Sequence, residues 1–283
     1  MSVEVVIPSL RQEPAETLVW SLSQQTHPPD VVTVVSNETQ PFANPGVKVR
    51  LLRFESSEYG VGDLDVALRQ NVGIWQSECD VVIIQGDDQI APPTMVEDTL
   101  EALSGKDYIW GNHRLVNWDL GRDEIRVMPM EQGLSRENPP PPMHHGYQSC
   151  YGGMFGASTG FLQDVGGFDM AFNGRHGSED QALGYRLMRR ANENQVLIVE
   201  PPFSWHPIEL KNGDGRVRSP WLNPVTNGCG SHLFEESTLD GVSYLRCVKC
   251  PVWRFNGDGQ IVLREEVLIR YRHELVSTTS VWL

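Results

Sequence analysis

Long hydrophobic runs are missing from this 283-residue sequence. The longest, VVII at 81–84 and VLIV at 196–199, fall far short of the roughly 18 residues a membrane span needs. The opening MSVEVVIPSL has no basic segment and carries Glu4 where a signal peptide would be apolar, so export is not expected and a cytoplasmic setting is. Positive charge is scarce. There are 23 Lys and Arg against 37 Asp and Glu, a net charge of −14, which excludes a protein held on DNA by a generally basic surface. Cysteine is sparse too: five residues, an odd number without a secretion signal, which favours reduced thiols over a disulfide framework. Repeats are absent, and the only low-complexity tract is four prolines at 139–142. What remains is an ordinary globular composition, long enough for one large domain or for one domain with a small appendage.

The first hundred residues alternate. Short β-rich runs at 3–8 (VEVVIP), 28–38, 47–54 and 80–93 are separated by segments of helical spacing at 13–25, 63–76 and 94–105, the last with Thr94 as N-cap and Gly105 as terminator. Strand–helix alternation predicts an α/β sheet with helices on both faces. In such sheets ligands bind at the carboxyl ends of the strands. The polar residues falling there are Ser9, Arg11, Ser36, Asn37, Glu38, Asp87 and Asp88.

The middle of the chain differs. A proline-rich stretch at 133–147 predicts a long loop, in which His144 and His145 read either as an exposed dipeptide or as part of a lid. A glycine-rich segment at 151–169 leads to a helix opening at Ser178, then a strand at 195–200 and the motif PPFSWHP at 201–207. From about 211 the sequence reads as a linker. The charge divides there: residues 1–215 hold 15 basic and 30 acidic side chains, and residues 216–283 hold 8 and 7. Two units are therefore expected, 1–215 and 216–283.

Three constellations carry possible chemistry, and each has a plain structural reading beside it. Asp87 and Asp88 end an apolar strand, where adjacent carboxylates suit either a turn or a hard divalent cation. Glu179 and Asp180 follow Ser178 at a helix start, which suits capping and the helix dipole or a general base. His206 lies between Trp205 and Pro207, as a packed histidine or as a ligand.

Taken together, these segments resemble the family 2 glycosyltransferases of GT-A fold, over roughly residues 3–207. VVIPSLRQEP at 5–14 resembles the family's first strand and nucleotide loop. SLSQQTHPPDVVTVVSN at 21–37 resembles its second strand region. ALRQNVGI at 67–74 resembles the a-R-N-x-G segment, with Asn71 and Gly73 in place and the arginine one residue early. VVIIQGDDQIAPPTMVE at 81–97 is similar to the strand carrying D-x-D, with Gly86 at the first aspartate. The most specific match is at 159–187, where Gly-Gly-Phe-Asp and then Glu-Asp-x-x-Leu-Gly-x-Arg-Leu follow in order.

The resemblance implies a GT-A catalytic domain, a Rossmann-like mixed sheet with helices on both faces. It implies a nucleotide-sugar donor lying along Pro8, Ser9, Arg11, Ser36, Asn37, Asn71, Asp87 and Asp88. Mn²⁺ or Mg²⁺ on the donor diphosphate would be bound by Asp88 and His206. Asp180, with Glu179 beside it, would deprotonate the acceptor hydroxyl in one inverting displacement. The acceptor is left open among a glycan, a protein and modified DNA. The alternatives are a phage-type DNA glycosyltransferase acting on a hydroxymethylated base and a catalytically inactive nucleotide-sugar or nucleic-acid binding module.

The last quarter carries a separate signal. Cys229 and His232, then Cys247 and Cys250, form two C-x2-[C/H] knuckles fourteen residues apart. That spacing suits a closed tetrahedral Zn²⁺ site and resembles a zinc ribbon, with a hairpin turning at Asn-Gly-Asp-Gly 256–259. The module reads either as a metal-stapled fold or as an acceptor reader using Arg246, Lys249, Trp253, Arg254 and Arg264.

Overall fold

The computed structural model describes residues 1–9, 11–36, 42, 46–53, 66–117, 126–127, 154–169, 179–190, 198–210, 217–218, 234–239, 242–247, 253–255 and 279–282. Four parallel strands make the centre of a mixed sheet: β1 (Val3–Pro8), β2 (Val31–Val35), β3 (Val49–Arg53) and β4 (Val81–Gln85). β1, β2 and β4 are buried along their whole length, which is why they read as near-continuous apolar runs. β5 (Tyr108–Asn117), β6 (Arg126–Val127), β7 (Met154–Ser158), β8 (Ile198–Leu210), β9 (Val217–Arg218) and β13 (Thr279–Trp282) complete it, in the order β13-β3-β2-β1-β4-β7-β5-β8-β9 with β6 on β5. β7 is antiparallel to both β4 and β5, so the sheet is mixed, as the GT-A expectation requires.

Helices cover both faces. α1 (Gln12–Ser23) and α3 (Met95–Ala102) pack against Val5, Ile7, Val81 and Ile83. α2 (Val66–Gln76), α4 (Thr159–Val165) and α5 (Glu179–Arg190) pack against Val6, Val82 and Ile84 on the other side. The period-two alternation within each strand divides these two cores. No helix among the described residues is long and apolar enough to cross a membrane.

Local details follow the sequence with two differences. Thr94 sits at the N-cap of α3, but its hydroxyl reaches Asp98 Oδ2 at 2.7 Å and caps no backbone amide. Gln25, at the far end of α1, supplies the missing cap: its Oε1 accepts from the Val96 amide at 3.1 Å while its Nε2 donates to the Pro92 carbonyl at 2.7 Å. The segment after β4 is thereby fastened to α1. The strand expected at 195–200 runs on through Pro201 and Pro202 to Leu210, because the ladder with β5 skips them, passing from Gly111↔Val199 to His113↔Ser204.

β10 (Phe234–Leu239), β11 (Val242–Cys247) and β12 (Trp253–Phe255) form a separate three-stranded sheet. β9 and β13, which both follow the expected boundary near 215, are the two edge strands of the main sheet among the described residues. β13 occupies the outer edge of β3, whose backbone groups would otherwise lack partners.

Candidate functional site at the strand ends

The carboxyl ends of β1, β2 and β4 bring the expected residues together. Ser9, just past β1, is 1% exposed, and its hydroxyl lies 2.8 Å from Asp87 Oδ2 and 2.9 Å from the Arg11 carbonyl while accepting from the Arg11 amide at 3.1 Å. Arg11 caps the start of α1 in extended conformation and turns its guanidinium back, placing Nη2 2.5 Å from Asp87 Oδ1. Burial pushes the Asp87 carboxyl above the ordinary range, opposed by Arg11 and Ser9 and reinforced by Asp88. Asp87 is therefore neutralised inside the protein. Asp88, half-buried, makes no hydrogen bond among the described residues.

Gly86 stands where the resemblance puts the first aspartate of D-x-D. A Cβ built there would lie 3.1 Å from Asp88 Oδ1 and 3.3 Å from Gln89 Nε2, so a side chain at this position crowds the available carboxylate. One free carboxylate fits Mn²⁺ or Mg²⁺, which bind through one or two carboxylates and complete their shell with substrate phosphates and water. Among the described residues no group of three or more His, Cys, Asp or Glu side chains could hold a metal by itself. His206 is placed in β8, in register with Leu115, and its side chain lies outside the described residues, as do Asn37, Cys229, His232, Cys250, His144 and His145.

Sequence reasoning missed Arg69. It is 3% exposed, and its Nη1 donates to the Ser9 carbonyl at 3.1 Å and to the Val35 carbonyl at 3.4 Å, tying the ends of β1 and β2 together. Pro8 lies opposite Val35, and Ser36 follows, fully buried, with its amide donating to Leu52 at 3.0 Å. The signal for Arg69 was its displacement by one residue from a-R-N-x-G.

Asn71 does not join this group. Its Nδ2 donates to the Phe168 carbonyl at 2.8 Å and its Oδ1 accepts from the Phe168 amide at 2.7 Å, so the side-chain amide is committed to the glycine turn after α4.

Glu179 and Asp180 form the first turn of α5. Asp180 shares a helix stripe with Leu183 and Leu187, which are fully buried in the core. Burial, with the Glu179 charge second, pushes the Asp180 carboxyl well above the ordinary range.

No known family model matches the sequence, and no curated protein does. Among solved structures the chain is similar to S. aureus TarS 1–349 in complex with UDP-GlcNAc, at TM-score 0.54 and 15% identity, covering 76% of this chain and 60% of that one. The complex of the same protein with UDP aligns at TM-score 0.52 and 15% identity, over 73% of this chain and 60% of that one. A longer TarS structure aligns at 0.53 and 14% identity, over 73% of this chain and 37% of that one. At such identity the likeness is one of fold, and the chain spans less than two thirds of each of these proteins.

Proposed function

We propose that this chain is a glycosyltransferase that moves a sugar from a nucleotide-sugar, of the UDP-sugar class, to an acceptor hydroxyl with inversion. The observation that carries the reading is the cluster of Ser9, Arg11, Asp87 and Asp88 at the strand ends, in a fold shared with a protein solved with UDP and UDP-GlcNAc. Asp88 would hold Mn²⁺ or Mg²⁺, with His206 as a second ligand. The cation, when bound, offsets the charge that develops on the departing diphosphate.

The chain's own residues do the rest. Arg69 and Ser9 keep the ends of β1 and β2 fixed where the nucleotide lies. Arg11 neutralises Asp87, so that only the Asp88 carboxylate faces the diphosphate. Asp180 takes the acceptor's hydroxyl proton as the oxygen attacks the anomeric carbon from the side opposite the leaving group. One displacement of this kind inverts the anomeric centre.

The test is a panel of UDP-sugars with Mn²⁺, read by release of UDP and by mass spectrometry of candidate acceptors: glycans, proteins and hydroxymethylated DNA. Asp88→Ala is expected to abolish transfer and Mn²⁺-dependent donor binding. A variant that transfers at the wild-type rate removes the metal role, and absence of UDP release with every donor removes the enzyme.

The β10–β12 unit is proposed to be held by one structural Zn²⁺ on Cys229, His232, Cys247 and Cys250. Its support is the register, since Cys247 ends β11 opposite Phe234, two residues after His232. Zinc content of about one per chain, lost in Cys247→Ser, is expected; a metal-free, folded chain excludes the site.

A further inference from the structure

After β7, residues 159–169 climb α2 step by step. Thr159 starts beside the amino end of β4, its amide donating to the Asp80 carbonyl at 2.9 Å. Gln163 Nε2 donates to the Ile74 carbonyl near the end of α2 at 3.1 Å, and Phe168 meets Asn71 one turn nearer the strand ends. Between them the chain turns sharply. Gly166 ends α4 in the left-handed region at φ 94°, with its amide 3.0 Å from the Gln163 carbonyl. Gly167 follows at φ 65° and donates to the Leu162 carbonyl at 3.1 Å. A Cβ on Gly167 would stand 2.3 Å from Asn71 Oδ1, so the backbone approaches the amide as closely as only glycine permits.

The same turn is held from its other side. Arg186, on α5 and 7% exposed, donates from Nη2 to the Gly167 carbonyl. α5 is thus fixed in two ways. Leu183 and Leu187 set its rotation in the core, and Arg186 sets its height on the turn. Its first turn carries Asp180.

We propose that Asn71 and Arg186 are positioning residues for Asp180, acting through the turn of Gly166, Gly167, Phe168 and Asp169. The proposal rests on the reading of Asp180 as the base. Asn71 anchors the turn to α2, the helix whose Arg69 also fixes the nucleotide end of the sheet. One helix therefore sets donor and base relative to each other. Displacement of about 1 Å at a reacting group costs on the order of 10²-fold in rate, so loosening either contact should be felt in the chemical step and not in donor affinity.

The experiment compares wild type, Arg186→Met, Arg186→Lys and Asp180→Asn, using the UDP-sugar that supports transfer, with UDP as the binding probe. Arg186→Met is expected to lower kcat by about 10²-fold with UDP affinity and donor KM within about threefold of wild type. The limb on which kcat rises with pH should shift, because the surroundings of Asp180 change. Arg186→Lys, which can still donate to the Gly167 carbonyl, is expected to recover most of kcat. Should Arg186→Met fail to fold, Asn71→Ser carries the same test. A folded variant with wild-type kcat and pH profile overturns the proposal, as does a loss that appears equally in UDP affinity. If Asp180→Asn itself keeps full activity, it is the base assignment that fails, and the two failures are told apart.

Discussion

Arg11 Nη2 sits 2.5 Å from Asp87 Oδ1, across the gap between the first turn of α1 and the end of β4. The pair decides which of two adjacent aspartates is available. Asp87 is buried and answered by a guanidinium and a hydroxyl, while Asp88 makes no hydrogen bond among the described residues and is the carboxylate proposed for the cation. The resemblance to D-x-D singled out Asp88, but the pairing of Asp87 could not be read from the sequence, because it depends on Arg11 folding back from seventy-six residues away.

Removing Arg11 should leave a buried carboxylate without its counter-charge. Arg11→Met is expected to cost about 1.5–3 kcal/mol in urea unfolding at pH 7. Arg11→Met combined with Asp87→Asn should cost less than the sum of the single changes, since no charge is then stranded. The sign with pH is fixed by the Asp87 carboxylate. The pair stabilises only while Asp87 is ionised, so the difference between wild type and Arg11→Met narrows as acid protonates it. Equal differences at pH 7 and in acid would contradict the pairing.

Asp180→Asn separates catalysis from stability. Loss of a general base lowers kcat by about 10²–10⁴-fold, and donor binding should persist. The folded-state pKa of Asp180 is raised, so the folded chain binds this proton more tightly than the unfolded chain does. That contribution is fully present below the ordinary aspartate value and is lost as pH rises through the raised one. The asparagine variant is therefore expected to unfold at higher temperature than wild type at pH 8 and to lose that advantage in acid. If Asp180 is the proposed base, kcat of the wild type is expected to rise with pH as the same group ionises. Thermal scans at the two pH values and a kcat profile check both halves.

Gly73 is held by the close approach of α2 to β1. A Cβ there would fall 2.2 Å from Val6 Cγ1, inside the core between the sheet and α2, α4 and α5. Gly73→Ala is expected to destabilise by about 1–3 kcal/mol through overpacking. Adding Val6→Ala should return part of that loss by making room, a coupling read by denaturation of the double variant against the two singles. If the pair is simply additive, the contact is not what requires glycine.

The parallel half of the fold was legible because both faces of β1, β2 and β4 are covered and each strand is apolar but for one residue, Glu4, Thr33 and Gln85 in turn. β5 and β7 were not. β7 is the five-residue Met-Phe-Gly-Ala-Ser, with a glycine facing Thr99, and nothing in it alternates or runs apolar. β13 is four residues whose only reason to be a strand is the open edge of β3. In the site, Ser9, Arg11 and Asp88 could be read from their place after strands. The roles of Asn71 and Arg69 could not, because both are set by backbone carbonyls and amides that sequence does not display.

The amino end of the sheet holds a second ion pair with no part in the chemistry. Glu4 on β1 and Arg50 on β3, 1% and 7% exposed, meet at 2.5 Å between Oε1 and Nη2, over the intervening strand β2. Thr33 on β2 donates to the same carboxylate oxygen and accepts from Arg50 Nε at 3.0 Å, and Arg50 Nη1 reaches the Gln76 carbonyl at the end of α2 at 3.0 Å. Every charge here is matched, so breaking the set should be worse than replacing it. Arg50→Met is expected to cost about 3–5 kcal/mol, because Glu4 stays buried with its counter-ion gone. Glu4→Met, Thr33→Val and Arg50→Met together should come much closer to wild type, since an apolar row of similar volume leaves no polar group to satisfy. Urea unfolding of the single and triple variants decides it. A triple variant less stable than Arg50→Met alone would mean that the network contributes net stability beyond satisfying its own buried charges.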